Sequence, residues 1–308
     1  MTDRADGARR ADALVIEAAD LHKHYGSVQA LRGLSLQVPP GSIHGFLGKN
    51  GAGKTTTIKV LLGMARPTSG RARVFGLPAD AQESSVEIRR RTGFVSDDKD
   101  LYDYMTVAEI IRFTAAFFPQ WRADLERTYA RTFELPLDRK IRALSRGTRT
   151  KLALLLVLCR RAELLILDEP TSGLDPAVTE EVLQTLVGHV ASEEMTVFFS
   201  SHQISEVDQI ADRVTIIDRG RAVVSGSLDD LREQYRRVQL IFDGDAPDAT
   251  FRAPGVVRVR RSGRILTVLS SAGAEGILDE ARALNPVSSD VVPVTLKEIF
   301  LESVAAED

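Results

Sequence analysis

The stretch Gly48-Lys49-Asn50-Gly51-Ala52-Gly53-Lys54-Thr55-Thr56 lies between a short apolar run and a segment of helical periodicity. It matches the phosphate-binding pattern G-x-x-x-x-G-K-S/T at every constrained position. Residues 42–47 before it are predicted to form a buried strand, and residues 56–62 a helix that stops at Gly63. In this context the glycines let backbone N–H groups point at phosphate oxygens, and the helix N-terminus adds positive potential. An ordinary glycine turn would not need this combination of residues, so the pattern predicts a phosphate-binding loop.

Two side chains of this loop are predicted to carry chemistry. Lys54 is expected on the β- and γ-phosphates of a nucleotide, and the Thr55 hydroxyl on Mg²⁺. The remaining residues predicted to cradle the nucleotide are Gly48, Asn50, Gly51, Ala52, Gly53 and Thr56.

Composition narrows the class of protein. The chain has 308 residues, of which 44% are hydrophobic, which suits one large domain and a small one. The net charge of −3 shows no basic excess, which argues against nucleic acid as a partner. A single cysteine, Cys159, excludes an internal disulfide and fits a reducing compartment. Residues 1–13 are polar, are expected to be disordered and lack the apolar segment of a signal peptide. We therefore expect a cytoplasmic protein whose membrane association comes through a partner.

The periodicity changes along the chain. Strands and helices alternate up to about residue 104, the pattern from Met105 to Cys159 is helical, and alternation resumes from Leu164 to Asp218. The first helix of the helical stretch is predicted to begin at Thr106, with Glu109 completing a capping box. After Tyr235 the pattern predicts a separate small α+β domain, whose last helix starts at Thr295.

A second motif pairs with the phosphate-binding loop. Residues 164–169, Leu-Leu-Ile-Leu-Asp-Glu, form an apolar run that ends in two carboxylates. Ligands bind at the carboxyl ends of strands in open α/β sheets. Asp168 is predicted to support Mg²⁺, and Glu169 to orient and polarise an attacking water. A pair of solvated acids is the alternative, and it is weakened by the Pro-Thr-Ser-Gly-Leu-Asp run at residues 170–175 that follows directly.

With these motifs the sequence resembles the ATP-binding subunit of an ABC transporter over about residues 14–235. The motifs that carry the resemblance are Walker A at Gly48–Thr56, Walker B at Leu164–Glu169, the D-loop at Ser172–Asp175, the switch histidine His202, and Tyr25 as the aromatic residue that stacks on adenine.

Two motifs depart from the family pattern. The signature motif reads Leu-Ser-Arg-Gly-Thr at residues 144–148, where Thr148 replaces the family's glutamine and a basic third residue is common in one branch of the family. Ser145 and Gly147 are the groups expected to approach the γ-phosphate across a dimer. The Q-loop glutamine is replaced by Asp97, which has a shorter arm and a full charge. We expect Asp97 to bind Mg²⁺ through a water molecule, since a carboxylate near the triphosphate is otherwise repelled by it.

The resemblance implies a fold and a mechanism. The fold class is α/β: a P-loop NTPase core of the ABC ATPase type at residues 14–235, with a helical subdomain at about 97–160, and a C-terminal α+β domain at 236–308. The implied activity is Mg²⁺-dependent ATP hydrolysis by a homodimer or heterodimer of such subunits, each ATP lying between Walker A of one and the signature motif of the other. His202 is expected to hold the γ-phosphate, and Asp175 to link the two sites.

The implied partner is a separate transmembrane permease, docked by the helical subdomain, so that the subunit works at the inner face of the membrane. The signature stretch and residues 118–121, Phe-Pro-Gln-Trp, resemble the bacterial exporter-type branch. Two other classes stay open: a soluble ABC ATPase that acts on ribosomes or DNA, and a regulatory ATPase whose C-terminal domain binds a ligand or partner. For that domain, stabilisation of a dimer is the role we expect.

Overall fold

The computed structural model describes residues 14–193 and 195–304, so the segment predicted to be disordered, residues 1–13, lies outside the described residues. Packing divides the described chain into two compact units. The first comprises the residues up to Ala211 together with Ile217–Ala222, and the second comprises Asp212–Ile216 together with the residues from Val223 onward. The predicted boundary between residues 235 and 236 lies within the second unit.

The strands alternate with helices through the first unit, as expected of an α/β protein. Its strands are β1 (Ile16–Tyr25), β2 (Val28–Val38), β3 (Ile43–Leu47), β4 (Ser69–Val74), β5 (Leu77–Pro78), β6 (Thr92–Val95), β7 (Leu164–Asp168) and β8 (Thr196–Ser201). Its helices are α1 (Lys54–Leu61), α2 (Gln82–Arg91), α3 (Val107–Ala115), α4 (Ala123–Thr132), α5 (Arg146–Leu158), α6 (Pro176–Glu193) and α7 (Ile204–Ile210).

A parallel sheet in the order β6-β7-β8-β3 forms the centre of the first unit. Every residue of β3, β7 and β8 is buried, which explains why these strands read as continuous apolar runs. Leu47 pairs with Ser201, and Asp168 pairs with Ser200. Because parallel strands end at the same edge, the residues that follow β3, β7 and β8 meet there.

An antiparallel sheet in the order β2-β1-β4-β5 packs against the same core. β1 has irregular register around Asp20, whose φ is 49°. This irregularity breaks the alternation of apolar and polar residues along the strand.

The helical insert, α3 to α5, lies between β6 and β7 in the chain. The predicted capping box is present, since the Glu109 N–H donates to Thr106 Oγ1 at 3.2 Å and the Thr106 N–H donates to Glu109 Oε2 at 2.7 Å. The apolar residues 152–158 of α5 are all buried within the protein. None of the helices in the described part of the chain is long and apolar enough to cross a membrane.

The second unit has its own sheet and its own core. The remaining strands are β9 (Arg213–Asp218), β10 (Arg221–Ser227), β11 (Arg236–Ile241), β12 (Val256–Ser262), β13 (Ile265–Ser270) and β14 (Ser288–Pro293), and the remaining helices are α8 (Leu228–Gln234), α9 (Glu275–Ala281) and α10 (Leu296–Val304). β9 and β10 carry the chain from the first unit into the second. The order β12-β13-β11-β14 is antiparallel, and its buried face includes Val238, Leu240 and Val268. This is the α+β arrangement expected for this part of the chain.

Candidate functional site

The glycine loop between β3 and α1 has no room for side chains at two of its positions. A Cβ on Gly48 would lie 2.6 Å from the Ile217 carbonyl oxygen. Gly53 has a φ of 112°, and a Cβ there would lie 2.7 Å from the Ala30 carbonyl oxygen. The loop therefore depends on glycine for both its backbone conformation and its close packing. Binding of a phosphate group by the backbone amides of this loop stays a prediction.

Lys54, at the start of α1, is buried and folds back over this loop. Its Nζ donates to the Gly48 carbonyl oxygen at 2.7 Å and to that of Lys49 at 3.2 Å. The same ammonium group lies 3.0 Å from Glu169 Oε1. The structure thus brings together the lysine of the first motif and the carboxylate of the second. Of the other loop residues predicted to cradle the nucleotide, Ala52 is buried while Asn50 is exposed.

Glu169 follows β7 and is only 8% exposed. While Oε1 faces Lys54, Oε2 lies 2.7 Å from His202 Nδ1, which follows β8. The Glu169 φ of 48° is unusual for a residue with a side chain. Such backbone strain persists where the surrounding structure holds it, and it clusters at functional sites. Each carboxylate oxygen of Glu169 therefore contacts a side chain, Lys54 or His202, that was predicted to act on the same nucleotide.

Asp168, the last residue of β7, is buried beside this centre. Ser200 donates to Asp168 Oδ1 at 2.6 Å, and the Glu169 N–H donates to the same Ser200 oxygen at 3.0 Å. Carboxylate and hydroxyl oxygens are the ligands that Mg²⁺ prefers, and Asp168 and the exposed Thr55 offer this donor set. No cluster of three or more His, Cys, Asp or Glu side chains suited to a metal was found among the described residues. Asp168 and Thr55 thus fit an ion that takes its other ligands from a nucleotide.

The switch histidine is followed by a buried hydrogen-bond network that sequence reasoning did not assign to the site. Glu206 in α7 is buried, and its carboxylate accepts from Ser201 at 2.6 Å and from Thr171 at 2.5 Å. These contacts join the residue before His202 to the segment that follows Glu169. The sequence shows that Glu206 follows His202 by four positions, but it does not show that the Glu206 side chain is buried.

Asp97, which stands in the Q-loop position, forms ion pairs with two cations. Arg146 Nη2 lies 3.3 Å and Lys99 Nζ lies 3.8 Å from Asp97 Oδ1. Arg146 also donates to Ser172 Oγ at 3.3 Å. The residue at the Q-loop position and the basic residue of the signature motif therefore contact each other. The role of Asp97 as a metal ligand stays a prediction.

Lys99 is a buried residue beside Glu169 that the sequence did not suggest for this site. A lysine between Asp98 and Asp100 is typical of a solvated loop, yet Lys99 is 4% exposed. Its Nζ donates to the backbone carbonyl oxygen of Glu169 at 3.1 Å. Burial lowers the pKa of Lys99, and the nearby Asp97 carboxylate opposes that effect.

The signature residues lie at the start of α5. Ser145 caps this helix, because its Oγ accepts from the Thr148 N–H at 3.1 Å. Ser145 is exposed and Gly147 is partly exposed. The first N–H groups of a helix carry positive potential, so an exposed anion would be attracted to this position. Asp175 likewise begins α6, where its Oδ1 accepts from the Val178 N–H at 3.0 Å.

Tyr25, at the end of β1, presents an aromatic ring that is 47% exposed. Lys23 Nζ lies 4.8 Å from the ring centroid and donates to the Arg66 carbonyl oxygen at 2.8 Å. A ring held in this way has the exposed π-face that stacking on a base requires. The described contacts of Tyr25 do not include the glycine loop.

Four aromatic side chains form an exposed row on the insert, which we call the aromatic strip: Tyr102, Tyr104, Phe113 and Phe117. Neighbouring rings along the row lie with their centroids 5.1 to 5.8 Å apart. These residues are between 41% and 67% exposed. Contiguous exposed apolar surface of this kind marks an interaction site.

A cleft of about 1110 Å³ lies at the other end of the parallel strands, beside residues that precede β3, β7 and β8. Two arginines of its lining form ion pairs with glutamates of the same lining: Arg91 lies 2.6 Å from Glu163, and Arg122 lies 2.9 Å from Glu193. None of the residues that line this cleft belongs to the predicted site. The carboxyl edge of the sheet is therefore the better candidate for chemistry.

Comparison with known proteins gives consistent matches. A family profile described as ABC transporter matches residues 31–172, a range that includes the glycine loop, Asp97 and Glu169. The bacitracin transport ATP-binding protein BcrA of Bacillus licheniformis is 31% identical over 94% of this chain and 95% of that protein. The daunorubicin resistance ATP-binding protein DrrA3 of Streptomyces coeruleorubidus is 31% identical over 95% of this chain and 94% of that protein. Among solved structures, an ATP-binding subunit of an ABC transporter matches with a TM-score of 0.64 and 29% identity, over 72% of this chain and 93% of that chain.

Proposed function

The chain belongs to the ABC transporter family of ATP-binding proteins, and from this premise we propose that it hydrolyses ATP to drive export through a separate membrane permease. The observation that carries the proposal is the convergence of Lys54, Glu169 and His202 at one sheet edge, beside the glycine loop. The names of the two relatives, one for bacitracin transport and one for daunorubicin resistance, support the direction of transport.

Hydrolysis assigns a task to each of these side chains. A water oxygen forms a bond to the γ-phosphorus while the bond to the β-phosphate oxygen breaks, which yields ADP and phosphate. The triphosphate competes with Glu169 for the Lys54 ammonium group, and this frees Oε1 to accept a hydrogen bond from the water. His202 remains on Oε2 and so keeps the carboxylate directed at the reaction. Glu169 then orients the water and receives its proton as the new bond forms.

Mg²⁺ bound with the nucleotide would neutralise charge on the phosphate oxygens. The Thr55 hydroxyl and the Asp168 carboxylate would hold it, with Asp97 acting through a water molecule. Ser200 prepares Asp168 for this task, since its hydroxyl proton already satisfies one carboxylate oxygen.

The active form is proposed to be a dimer, either of this chain with itself or with a related subunit. In it the Ser145 hydroxyl and the α5 N–H groups near Gly147 face the γ-phosphate bound by the partner. Arg146, with a half-exposed side chain, adds a positive charge at the same helix start. Asp175 lies at the start of α6 and is proposed to join the two sites, and Tyr25 to stack on adenine.

The permease is proposed to dock on the aromatic strip, at the cytoplasmic face of the membrane. The strip offers an apolar surface with rigid rings, which suits an amphipathic helix presented by a membrane protein. Tyr102 and Tyr104 of the strip directly follow the loop that carries Asp97 and Lys99. One segment would therefore contact both the permease and the nucleotide site.

Glu169→Gln tests the proposal. The variant should bind ATP with unchanged affinity, accumulate an ATP-dependent dimer and lose turnover by roughly 10²- to 10⁴-fold, because an amide cannot take the proton of water. The measurements are ATP affinity by calorimetry, phosphate release and oligomeric state by light scattering. Glu83→Gln, an exposed change on α2, is the matched control. Turnover close to that of the wild type in Glu169→Gln would refute the assignment of Glu169.

A further inference from the structure

The Lys99 side chain is buried although it comes from a loop rich in acids. Burying an ammonium group is costly unless it is paired and hydrogen-bonded. Lys99 Nζ donates to the Glu169 carbonyl oxygen at 3.1 Å, while Asp97 Oδ1 lies further away at 3.8 Å. Asp97 in turn lies closer to Arg146, at 3.3 Å. Pairing with Asp97 alone therefore does not account for the position of Lys99.

The peptide groups on both sides of Glu169 are held. Its N–H donates to Ser200 Oγ at 3.0 Å, and its carbonyl oxygen accepts from Lys99 at 3.1 Å and from the Ser172 N–H at 3.2 Å. Glu169 has a φ of 48° and Lys99 has a φ of 47°, so the contact joins two residues in the left-handed region. Non-glycine residues keep such conformations only where their surroundings over-determine them. Lys99 supplies one of the constraints that Glu169 needs.

We propose that Lys99 is a positioning residue for Glu169: by holding the backbone carbonyl, it fixes the direction of the carboxylate toward water. The proposal rests on the role of Glu169 proposed above. Without the lysine, the Glu169 carbonyl oxygen keeps the Ser172 N–H but loses the ammonium group, so this peptide is less constrained and can relax toward a less strained conformation. The carboxylate would then lose its alignment, although Lys54 and the glycine loop would still bind nucleotide. Misplacement by about 1 Å costs on the order of 10²-fold in rate.

Lys99→Met is the direct test, because it keeps the length of the side chain and removes its donors. We expect kcat for ATP hydrolysis to fall by roughly 10- to 100-fold while the ATP dissociation constant changes by less than about twofold. Lys99→Arg and Lys99→Gln keep a donor and should recover part of the rate. Lys59→Met, an exposed change on α1, is the control.

If Lys99→Met does not fold, as judged by thermal unfolding, the Lys99→Arg and Lys99→Gln variants are used instead. A loss of ATP affinity in these variants that equals their loss of kcat overturns the proposal.

A double-mutant cycle separates a positioning role from a general structural one. In the Glu169→Gln background, Lys99→Met should change the residual single-turnover rate by less than about twofold, because Lys99 acts through the carboxylate that is already absent. An equal loss in both backgrounds overturns the proposal, as does wild-type kcat in Lys99→Met. Normal turnover in Glu169→Gln alone would instead refute the role proposed for Glu169, so the two failures are distinguishable.

Discussion

Lys54 donates to two carbonyl oxygens of its own loop and faces one oxygen of Glu169. This geometry holds the ammonium group beside the glycine loop, and it holds the Glu169 carboxylate at the same time. In the proposed mechanism, ATP binding changes two things at the residue scale: the lysine gains the phosphates, and Glu169 gains an oxygen free to bind water.

Lys54→Ala should weaken ATP binding itself. Hydrogen bonds to charged groups contribute about 1.5–3 kcal/mol, which corresponds to a loss of roughly 10- to 150-fold in affinity. Calorimetric titration with ATP measures this directly. Lys59→Ala removes an exposed lysine from the same helix and should bind ATP as the wild type does. Unchanged affinity in Lys54→Ala would contradict the phosphate-binding assignment of the loop.

Asp97→Gln should leave basal ATPase activity equal or higher, and should alter its stimulation by the permease. The amide oxygen still accepts from Arg146 and Lys99, while the negative charge near the triphosphate is removed. Phosphate release with and without the co-purified permease measures both effects. Asp98→Asn, an exposed neighbour, is the control. A large loss of basal activity would show that the site requires a carboxylate at this position.

At the scale of elements, the loop between β6 and α3 joins the aromatic strip to the reaction. It carries Lys99, which reaches the carbonyl of Glu169, and three residues further on it carries Tyr102, which lies between Tyr104 and Phe113 in the strip. The capping box at Thr106 then fixes the first turn of α3. A partner that moves Tyr102 would thus move a segment that contacts the catalytic residue.

Replacing Tyr104 and Phe117 together by serine should abolish stimulation of the ATPase by the permease, because it removes the two most exposed rings of the strip. Basal ATPase should stay within about twofold of the wild type, and stability within about 0.5 kcal/mol, since both side chains are on the surface. Stimulation in reconstituted vesicles and chemical unfolding are the measurements. Val86→Ser, an exposed apolar residue of α2, should leave stimulation intact. Full stimulation in the double variant would place the docking surface elsewhere.

At the scale of the whole molecule, the proposed dimer requires each chain to contribute to two nucleotide sites. The glycine loop and Glu169 are proposed to serve the nucleotide of the same chain, while Ser145, exposed, and Gly147, partly exposed, lie at the start of α5 and are proposed to serve a partner's nucleotide. Arg146 is the cation at that helix start.

Arg146→Glu should prevent the ATP-dependent dimer in the Glu169→Gln background while ATP affinity of the monomer stays within about twofold of its parent. A carboxylate facing the partner's triphosphate is repelled by it. Light scattering with ATP gives the oligomeric state, and calorimetry gives the affinity. Arg127→Glu makes the same charge change at an exposed site on α4 and should still dimerise. Dimerisation of Arg146→Glu at the normal ATP concentration would contradict the composite site.

The glycine loop, the acid pair after β7 and the capping box at Thr106 could be predicted from the sequence alone, because each depends on residues a few positions apart. The continuous apolar runs also predicted buried parallel strands, and parallel strands imply one common edge. The resemblance added His202 and the signature residues. These predictions needed no knowledge of which elements pack together.

Burial and pairing between distant segments depended on the tertiary structure. Lys99 lies 70 residues from Glu169, and nothing local distinguishes it from a solvated lysine until β6 and β7 pair. The contact between Asp97 and Arg146 spans 49 residues, so two motifs that looked independent in the sequence are joined by an ion pair in the fold. The physical reason is that the environment of a side chain is set by the elements packed against it, whereas local sequence sets only backbone preference and the side of the element on which the side chain lies.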